Sequence, residues 1–270
     1  MVDLANWTVY QGRDPAYCHG VSACGDGNLD MLFTSWYQKH LPLALHAFRQ
    51  AGETPSDILP LAFHQQLAAQ TRIAVRKTAG TALPLRIAGK YVITGPQGYP
   101  ETQGHAEGEI ELPAAAPAGT YSIRVGGAVL LPISPPDTPE VLLPPEDGRV
   151  DTAWQYVQHW FRVPEGVKSF QLTFDNTRPS TPYYRQSLRQ VTIWDADGRE
   201  AWAHRQLTRD YDASRKVVLA EVTVPPDQAG RLWRLTMPGM RTMPFRLGPE
   251  LPRLLAHDPR RWFDPDVEAP

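Results

Sequence analysis

The sequence predicts a mainly β protein with two β-sandwich domains behind a short helical N-terminal segment. Two stretches carry this prediction, residues 120–125 and 169–174, because each alternates apolar and polar side chains and each follows a Pro/Gly turn. An alternation with period two is typical of a strand that packs one face on a core. The 27 prolines are about twice the usual share of ~5% and favour many short elements joined by fixed turns.

The N-terminal segment, residues 1–64, has a helical pattern. Four apolar residues at spacings i, i+3, i+4 and i+7 share one helical face: Leu29, Leu32, Phe33 and Trp36. Pro42 is expected to end or kink this helix, and a second helical piece at 43–51 stops at Gly52, a natural residue after a helix end.

The remaining chain divides into a first sandwich at 65–134, a linker at 135–152 and a second sandwich at 153–270. The linker is rich in proline and acidic residues, although its apolar run at 141–143 indicates a strap that packs on the protein. We expect the C-terminal tail to wrap the surface and to anchor an aromatic residue from the run at 260–263.

The second sandwich is predicted in more detail than the first. Its expected strands are 156–163, 169–174, 190–194, 217–224 and 231–237. Residues 195–198 read D-A-D-G, which is typical of a hairpin turn between two strands.

Composition excludes several classes of protein. The net charge of −2 provides no basic footprint for general nucleic-acid binding, and no apolar run approaches the ~18 residues of a membrane span. No signal peptide is visible at the first residues. The location is therefore predicted as extracellular or periplasmic if a leader has been removed, and cytoplasmic otherwise.

The local motifs for catalysis and metal binding are incomplete. Asp26 to Asp30 starts like a calcium loop, but Met31 and Tyr37 stand where glycine and glutamate are needed. Ser22 lies in a near match to a nucleophile elbow that lacks its preceding strand. The eight histidines show no zinc spacing, and no phosphate-binding glycine loop occurs, so neither a metal nor a cofactor is predicted.

Other reactive residue types have structural interpretations. Cys18 and Cys24 are too few for a disulfide scaffold, and a reduced pair is the simpler expectation, with their redox state left open. Turns account for two carboxylate pairs: Asp195/Asp197 and Asp210/Asp212. His159 is expected inside the sandwich because it alternates in register with Val157 and Phe161.

Aromatic residues provide the candidate binding site. The second sandwich holds five of the eight tryptophans ahead of its C-terminal tail, and Trp233 is assigned to the core because it alternates with Leu235 and Met237. Four aromatic residues are better surface candidates, with an arginine that can grip a hydroxyl or carboxylate: Tyr183, Tyr184, Trp194 and Trp202, with Arg185.

Several runs of the second sandwich carry a family resemblance. Residues 160–166 read W-F-R-V-P-E-G, 191–198 read V-T-I-W-D-A-D-G and 230–235 read G-R-L-W-R-L. In this order they resemble the jelly-roll, carbohydrate-binding-like accessory domains of bacterial polysaccharide-degrading enzymes. Residues 117–121, P-A-G-T-Y, are similar to the Ig-like modules found beside them. The resemblance covers roughly 65–240, and it implies an Ig-like then a jelly-roll-like sandwich.

The resemblance leads to three functional hypotheses. The first is a non-catalytic carbohydrate-binding or accessory protein, in which the resemblance implies a partner catalytic domain upstream. The second is a glycoside hydrolase or polysaccharide lyase with a site between the domains. The third is a structural or protein-interaction module, for which a β-sandwich is equally suited.

Overall fold

The computed structural model describes residues 63–67, 70–126, 128–151, 157–176, 188–207, 216–237 and 243–267. Over these residues the protein is mainly β, and its sheets are antiparallel. The predicted fold class is confirmed at this level. Residues 1–62, which hold the predicted helices, lie outside the described residues.

Seven strands form the first half of the described chain. They are β1 (Phe63–Gln66), β2 (Arg72–Lys77), β3 (Leu83–Thr94), β4 (Thr102–Leu112), β5 (Gly119–Val125), β6 (Ala128–Leu131) and β7 (Glu140–Leu143). Five of them form one sheet in the order β4-β3-β5-β2-β7, and β1 pairs with β6. Buried residues of both sheets, among them Ile73, Leu85 and Leu131, belong to one apolar cluster.

Strand β3 contacts two neighbours on the same side along its length. Residues 91–94 pair with β5, whereas the Arg86 amide donates to the Ile133 carbonyl just beyond β6 at 2.7 Å. Gly89 lies between these two parts with φ 114°, a backbone region that favours glycine. One strand therefore contacts both sheets of the first half, and Gly89 lies where its neighbour changes.

Eight strands form the second half. They are β8 (Arg149–Val150), β9 (Val157–Arg162), β10 (Ser169–Asp175), β11 (Leu188–Trp194), β12 (Glu200–Leu207), β13 (Val217–Thr223), β14 (Leu232–Met237) and β15 (Phe245–Leu247). Two four-stranded sheets result, β13-β10-β15-β8 and β12-β11-β14-β9. Phe170 of the first contacts Phe161 and Trp233 of the second edge to face, so the sheets pack as the two layers of a β-sandwich.

The local predictions for this half agree closely with the strands. Each of the five predicted strands lies within two residues of an observed one. The D-A-D-G turn joins β11 to β12 and is closed by the Gly198 amide, which donates to the Asp195 carbonyl at 3.0 Å. Trp233 and His159 are both completely buried, as the alternation predicts.

The segment predicted as a linker contributes strands to both halves. Strand β7 pairs with β2 of the first sheet, and β8 pairs with β15 of the second half. Val141 and Leu142 are both buried, on opposite sides of the sheet. Burial of these apolar side chains stabilises the strand. The apolar run at 141–143 therefore packs on the first sheet as the predicted strap, in the form of strand β7.

The C-terminal tail joins an edge of the first sheet to an edge of the second sandwich. Leu255 exchanges two backbone hydrogen bonds with Leu142 of β7, of 2.6 and 3.1 Å. The next residue, Ala256, exchanges two with Trp160 of β9, of 2.7 and 2.8 Å. The tail therefore satisfies the open hydrogen-bonding groups of two edge strands at once.

Tail side chains also cover the outer side of this junction. A second apolar cluster combines sheet residues with tail residues: Ala74, Val141, Leu254, Ala256 and Phe263. The guanidinium of Arg76 lies 4.6 Å from the ring centroid of Phe263 and donates to the Val267 carbonyl at 2.8 Å. Phe263 is thus the aromatic anchor that the sequence predicts for the tail.

Within the described ranges we find no helix of the length and apolarity that crossing a membrane requires.

Candidate functional site

A row of three side chains crosses the outer face of the sheet β12-β11-β14-β9. Trp194 of β11 lies opposite Arg234 of β14, and Arg234 lies opposite Trp160 of β9. Their strand neighbours Ile193 and Leu235 are completely buried in the sandwich. Because successive side chains point to opposite faces of a sheet, the three residues of the row point outward.

The row is held together by cation–π contacts. The Arg234 guanidinium carbon lies 5.1 Å from the Trp194 ring centroid and 5.6 Å from that of Trp160. The Trp194 indole N–H donates to the Thr236 hydroxyl at 2.9 Å, which fixes the ring on the sheet. All three members of the row are half-buried, so each keeps part of its surface in contact with solvent.

A second tryptophan–arginine pair extends this surface toward the tail. Arg162 of β9 is exposed, and its guanidinium carbon lies 5.6 Å from the ring centroid of Trp262. The Arg162 Nε donates to the Gly230 carbonyl at 3.1 Å. We call the five residues Trp160, Arg162, Trp194, Arg234 and Trp262 the outer aromatic face.

The charge of the outer aromatic face is positive. Neither Arg162 nor Arg234 has a carboxylate partner within the described part of the chain. Nearby carboxylates have their own partners, since Glu200 pairs with Arg205 and Asp197 pairs with Arg199 and Arg231. Two guanidinium groups thus lie beside tryptophan rings without neutralisation.

Of the predicted site residues that the structure describes, one lies on the outer aromatic face and one does not. Trp194 lies on the outer aromatic face, as a surface candidate should. Trp202 does not share that face, because it lies opposite the buried Ile193 and stacks on Phe174 of the other sheet, with ring centroids 5.9 Å apart and planes 7° from parallel. Three further candidates, Tyr183, Tyr184 and Arg185, lie outside the described residues.

The position of Trp202 has a local cause. The ladder between β11 and β12 shifts register between Ile193 and Trp194, so that Trp194 pairs with Glu200. The shift leaves Ala201 as an extra residue, which is the character of a β-bulge. The shift cannot be read from the alternation of either strand alone, so the sequence does not separate the two tryptophans.

Sequence reasoning missed four residues of the outer aromatic face: Trp160, Arg234, Arg162 and Trp262. For the first two a signal exists: His159 and Trp233 are assigned inward, so their neighbours Trp160 and Arg234 must point outward. Their approach across two strands depends on the pairing order β9-β14-β11, which only the structure supplies. Trp262 follows a short 3₁₀ turn at Pro259–Arg261, and no strand pattern places it.

A second polar cluster lies buried at the junction between the tail and the first sheet. Glu140 accepts hydrogen bonds from the amides of Ile133 and Ser134, from the Ser134 hydroxyl, and from Arg261 Nη2 at 2.9 Å. His257 Nε2 lies 3.9 Å from Glu140 Oε1. We call these residues, together with His159, the junction cluster.

Burial dominates the electrostatics of the junction cluster. It raises the pKa of Glu140, although the Arg261 guanidinium and the bonds from Ser134 act in the opposite direction. Burial lowers the pKa of His159 to about 3. The pKa of His257 is also well below its ordinary value, because of burial first and then of His159 and Arg261. Both imidazoles are therefore neutral at neutral pH.

The junction cluster has the properties of a structural site. Its arginine and carboxylate are completely enclosed, and the bonds of Glu140 tie a loop of the first sheet to the tail. Buried charges of this kind occur when they are paired and hydrogen-bonded.

Carboxylates near the contact of the two halves are held by arginines. Arg149 donates to Asp151 and to Asp175, both at 2.8 Å, and Arg246 lies 3.6 Å from Asp147. The adjoining crevice, which Leu67, Leu142 and Arg149 help to line, leaves no room for a ligand between its walls. No group of three or more metal-ligating side chains is found in the described ranges.

The carboxylate pair of the β11–β12 turn is also engaged in structure. Asp195 Oδ1 accepts from the amides of Asp197 and Arg199, at 2.9 and 2.8 Å. Hydrogen bonds from Gln228 and Arg231 lower the pKa of Asp197. The turn interpretation of this pair is confirmed, while Asp210, Asp212, Ser22, Cys18 and Cys24 lie outside the described residues.

No protein-family model, curated protein or solved structure matches this chain.

Proposed function

We propose that the chain is a non-catalytic carbohydrate-binding protein and that its ligand lies on the outer aromatic face. The observation that carries this proposal is the row of Trp194, Arg234 and Trp160, two partly exposed indole rings and a guanidinium on one rigid sheet. A sugar ring presents an apolar face of C–H groups to an aromatic ring, and its hydroxyls accept hydrogen bonds from arginine.

The placement of the row on a sheet favours binding. Trp194 and Trp160 are separated by one intervening strand. Because neighbouring strands lie ~4.8 Å apart, the two Cα atoms are roughly 10 Å apart, enough to contact more than one sugar unit of a chain. Rigid presentation also reduces the entropy lost on binding.

The architecture is compatible with an accessory role. We propose that the first half corresponds to an Ig-like sandwich and the second to a jelly-roll-like sandwich, as in the accessory domains of polysaccharide-degrading enzymes. Two packed antiparallel sheets, one with tryptophan rings on its outer face, support this assignment. In this role the chain would act beside a catalytic domain, which is its proposed partner.

A hydrolase or lyase is less well supported. A glycosidase of the usual kind needs one carboxylic acid and one carboxylate across a sugar in an accessible site. In the part of the chain that the structure describes, Asp175 and Asp197 are held by arginines, and Glu140 is completely buried. Binding at the outer aromatic face is therefore better supported than catalysis by these three carboxylates.

Affinity electrophoresis on gels that contain single polysaccharides tests the proposal. The panel pairs neutral polymers such as cellulose derivatives, xylan and galactan with acidic ones such as polygalacturonate and alginate. We expect at least one polymer to retard the protein and Trp194→Ala to abolish the retardation. Unretarded migration on the whole panel would contradict carbohydrate binding.

A matched variant controls for the loss of apolar surface. Leu219 is 47% exposed on β13, in the other sheet of the sandwich. Leu219→Ala removes exposed apolar surface without changing the outer aromatic face, so it should be retarded like the unmodified protein. Thermal unfolding of both variants shows that each remains folded.

A further inference from the structure

We propose that the ligand of the outer aromatic face is an acidic polysaccharide whose sugar units carry carboxylates, an inference that rests on the carbohydrate-binding function proposed above. The structural basis is the pair of arginines on that face. A neutral sugar needs the aromatic rings and some hydrogen-bond donors, whereas two uncompensated guanidinium groups are complementary to negative charge.

Arg234 has unused hydrogen-bonding capacity. A guanidinium carries five N–H donors, and Arg234 has no acceptor among the described residues. Its guanidinium lies over the rings of Trp160 and Trp194, so the two rings restrict the side chain but leave its donors available. A restricted guanidinium loses less entropy when it binds a carboxylate bidentately.

Arg162 adds a second cation on the same face. It lies two residues from Trp160 along β9, and in the described part of the chain only its Nε donates a hydrogen bond, to the Gly230 carbonyl. Side chains two apart on a strand are on the same face, ~7 Å from each other. The two arginines therefore form a cationic surface that alternates with tryptophan rings.

Among the described residues, the lack of a carboxylate partner distinguishes these two arginines from others nearby. Three arginines on the adjoining strands and turns have carboxylate partners within 3.1 Å: Arg199, Arg205 and Arg231. On the same sheet, Arg162 and Arg234 contact aromatic rings instead. Positive charge is thus localised on the outer aromatic face of a chain whose net charge is −2.

Local positive charge with exposed rings can also attract single-stranded nucleic acid, by stacking and phosphate contacts. The overall charge of −2 provides no long-range attraction for a polyanion of either kind, so the selection of a ligand depends on the two localised cations and on the rings beside them. Carboxylate groups at the spacing of sugar units match two localised cations without requiring a basic protein.

A matched pair of polymers tests the inference by titration calorimetry at low and moderate salt. Polygalacturonate and its fully methyl-esterified form share one backbone and differ in charge. We expect the full-length chain to bind the acid form at least 10-fold more tightly than the ester, and to lose this preference as salt is raised. Alginate serves as a second acidic probe.

Three arginine variants and one control variant locate the charge. Arg234→Gln and Arg162→Gln should each weaken binding of the acid form by about 10-fold, the size of one charge-assisted hydrogen bond. Arg234→Lys should restore part of the affinity, because lysine keeps the charge but lacks the planar fork. Arg124→Gln removes an exposed arginine from the first sheet and should leave binding unchanged.

The outcomes separate this inference from the proposed function. Equal binding of acid and ester, or binding of neutral polymers alone, would overturn the charge preference and leave carbohydrate binding intact. Failure of every polymer on the panel would overturn both. Competition by single-stranded DNA as effective as that by polygalacturonate would also overturn the inference, because it would identify the face as a general polyanion site.

Discussion

Arg261 of the C-terminal tail donates to the carboxylate of Glu140, 121 residues away in sequence, at 2.9 Å, and the two side chains are 2% and 0% exposed. The bond crosses from the tail to the edge strand β7 of the first sheet. Because β9 of the second sandwich pairs with the same tail, this buried ion pair lies at the joint between the two halves. The tail therefore links the two halves of the protein.

Removal of the Arg261 charge should be strongly destabilising. Arg261→Met leaves Glu140 buried without its cation, and breaking one partner of a buried pair costs about 3–5 kcal/mol. Urea unfolding of the variant would measure the change in the free energy of unfolding. Arg260→Met is the matched control, because Arg260 is exposed and pairs with its near neighbour Asp258, so a loss of under ~1 kcal/mol is expected. Equal losses in the two variants would contradict the role of the ion pair.

Deletion of the tail should expose two strand edges. The amides of Leu142 and Trp160 donate to the carbonyls of Leu255 and Ala256. In a chain that ends at Pro252, hydrogen exchange at these two amides should become faster, whereas the Leu172 amide within β10 should keep its protection. Unchanged exchange at Leu142 and Trp160 would show that the tail does not pair with both sheets.

Acid should destabilise the protein through the buried histidines. Burial lowers the pKa of His159 to about 3, so below its ordinary value of 6.5 the unfolded chain binds a proton that the folded chain does not. Stability therefore falls as the pH falls from about 6.5 toward 3, at up to ~1.4 kcal/mol per pH unit for each such histidine. His257, with its lowered pKa, acts in the same direction.

Glu140 contributes with the opposite sign, because its raised pKa makes the folded chain bind a proton more readily than the unfolded one. Its contribution is lost as the pH rises above 4.5, so it partly offsets the histidines there. Urea unfolding at a series of pH values, with His159→Leu beside the unmodified chain, measures the effect. A variant whose stability falls as steeply with acid as that of the parent would rule out His159 as a source.

Trp202 and Trp194 should separate stability from binding. Trp202 stacks on Phe174 inside the sandwich, so Trp202→Ala should lower the free energy of unfolding by roughly 3 kcal/mol, the lower end of the range for large aromatic deletions. Under conditions where it stays folded, its glycan affinity should match that of the parent. Trp194→Ala should lose affinity with a smaller loss of stability. A loss of affinity in Trp202→Ala but not in Trp194→Ala would place the ligand at Trp202 and contradict the proposed site.

Strand positions were predictable from the sequence because each strand carries its own signal. Residues 169–174 alternate, a Pro/Gly turn precedes them, and β10 begins at Ser169. The same local logic places Trp233 and His159 inside. It also assigns the apolar run at 141–143 to a packed strap, since three adjacent apolar residues in a polar segment are costly to expose.

Contacts between distant segments were not predictable. The row of Trp160, Arg234 and Trp194 depends on which strands are neighbours, and Trp202 turns inward because of a register shift. The pairing of Glu140 with Arg261 depends on a tail whose sequence has no strand pattern. The periodicity of one β-strand contains no information about these contacts, which define the outer aromatic face and the connection between the two halves.

The most direct test of carbohydrate binding on the outer aromatic face is an NMR titration of the tryptophan indole N–H signals with polygalacturonate fragments. The chain has eight tryptophans, and single Trp→Phe variants assign their signals. We expect the signals of Trp194 and Trp160 to shift with added ligand and that of the completely buried Trp233 to stay in place. Ligand-dependent shifts confined to tryptophans outside the outer aromatic face would contradict the proposed site.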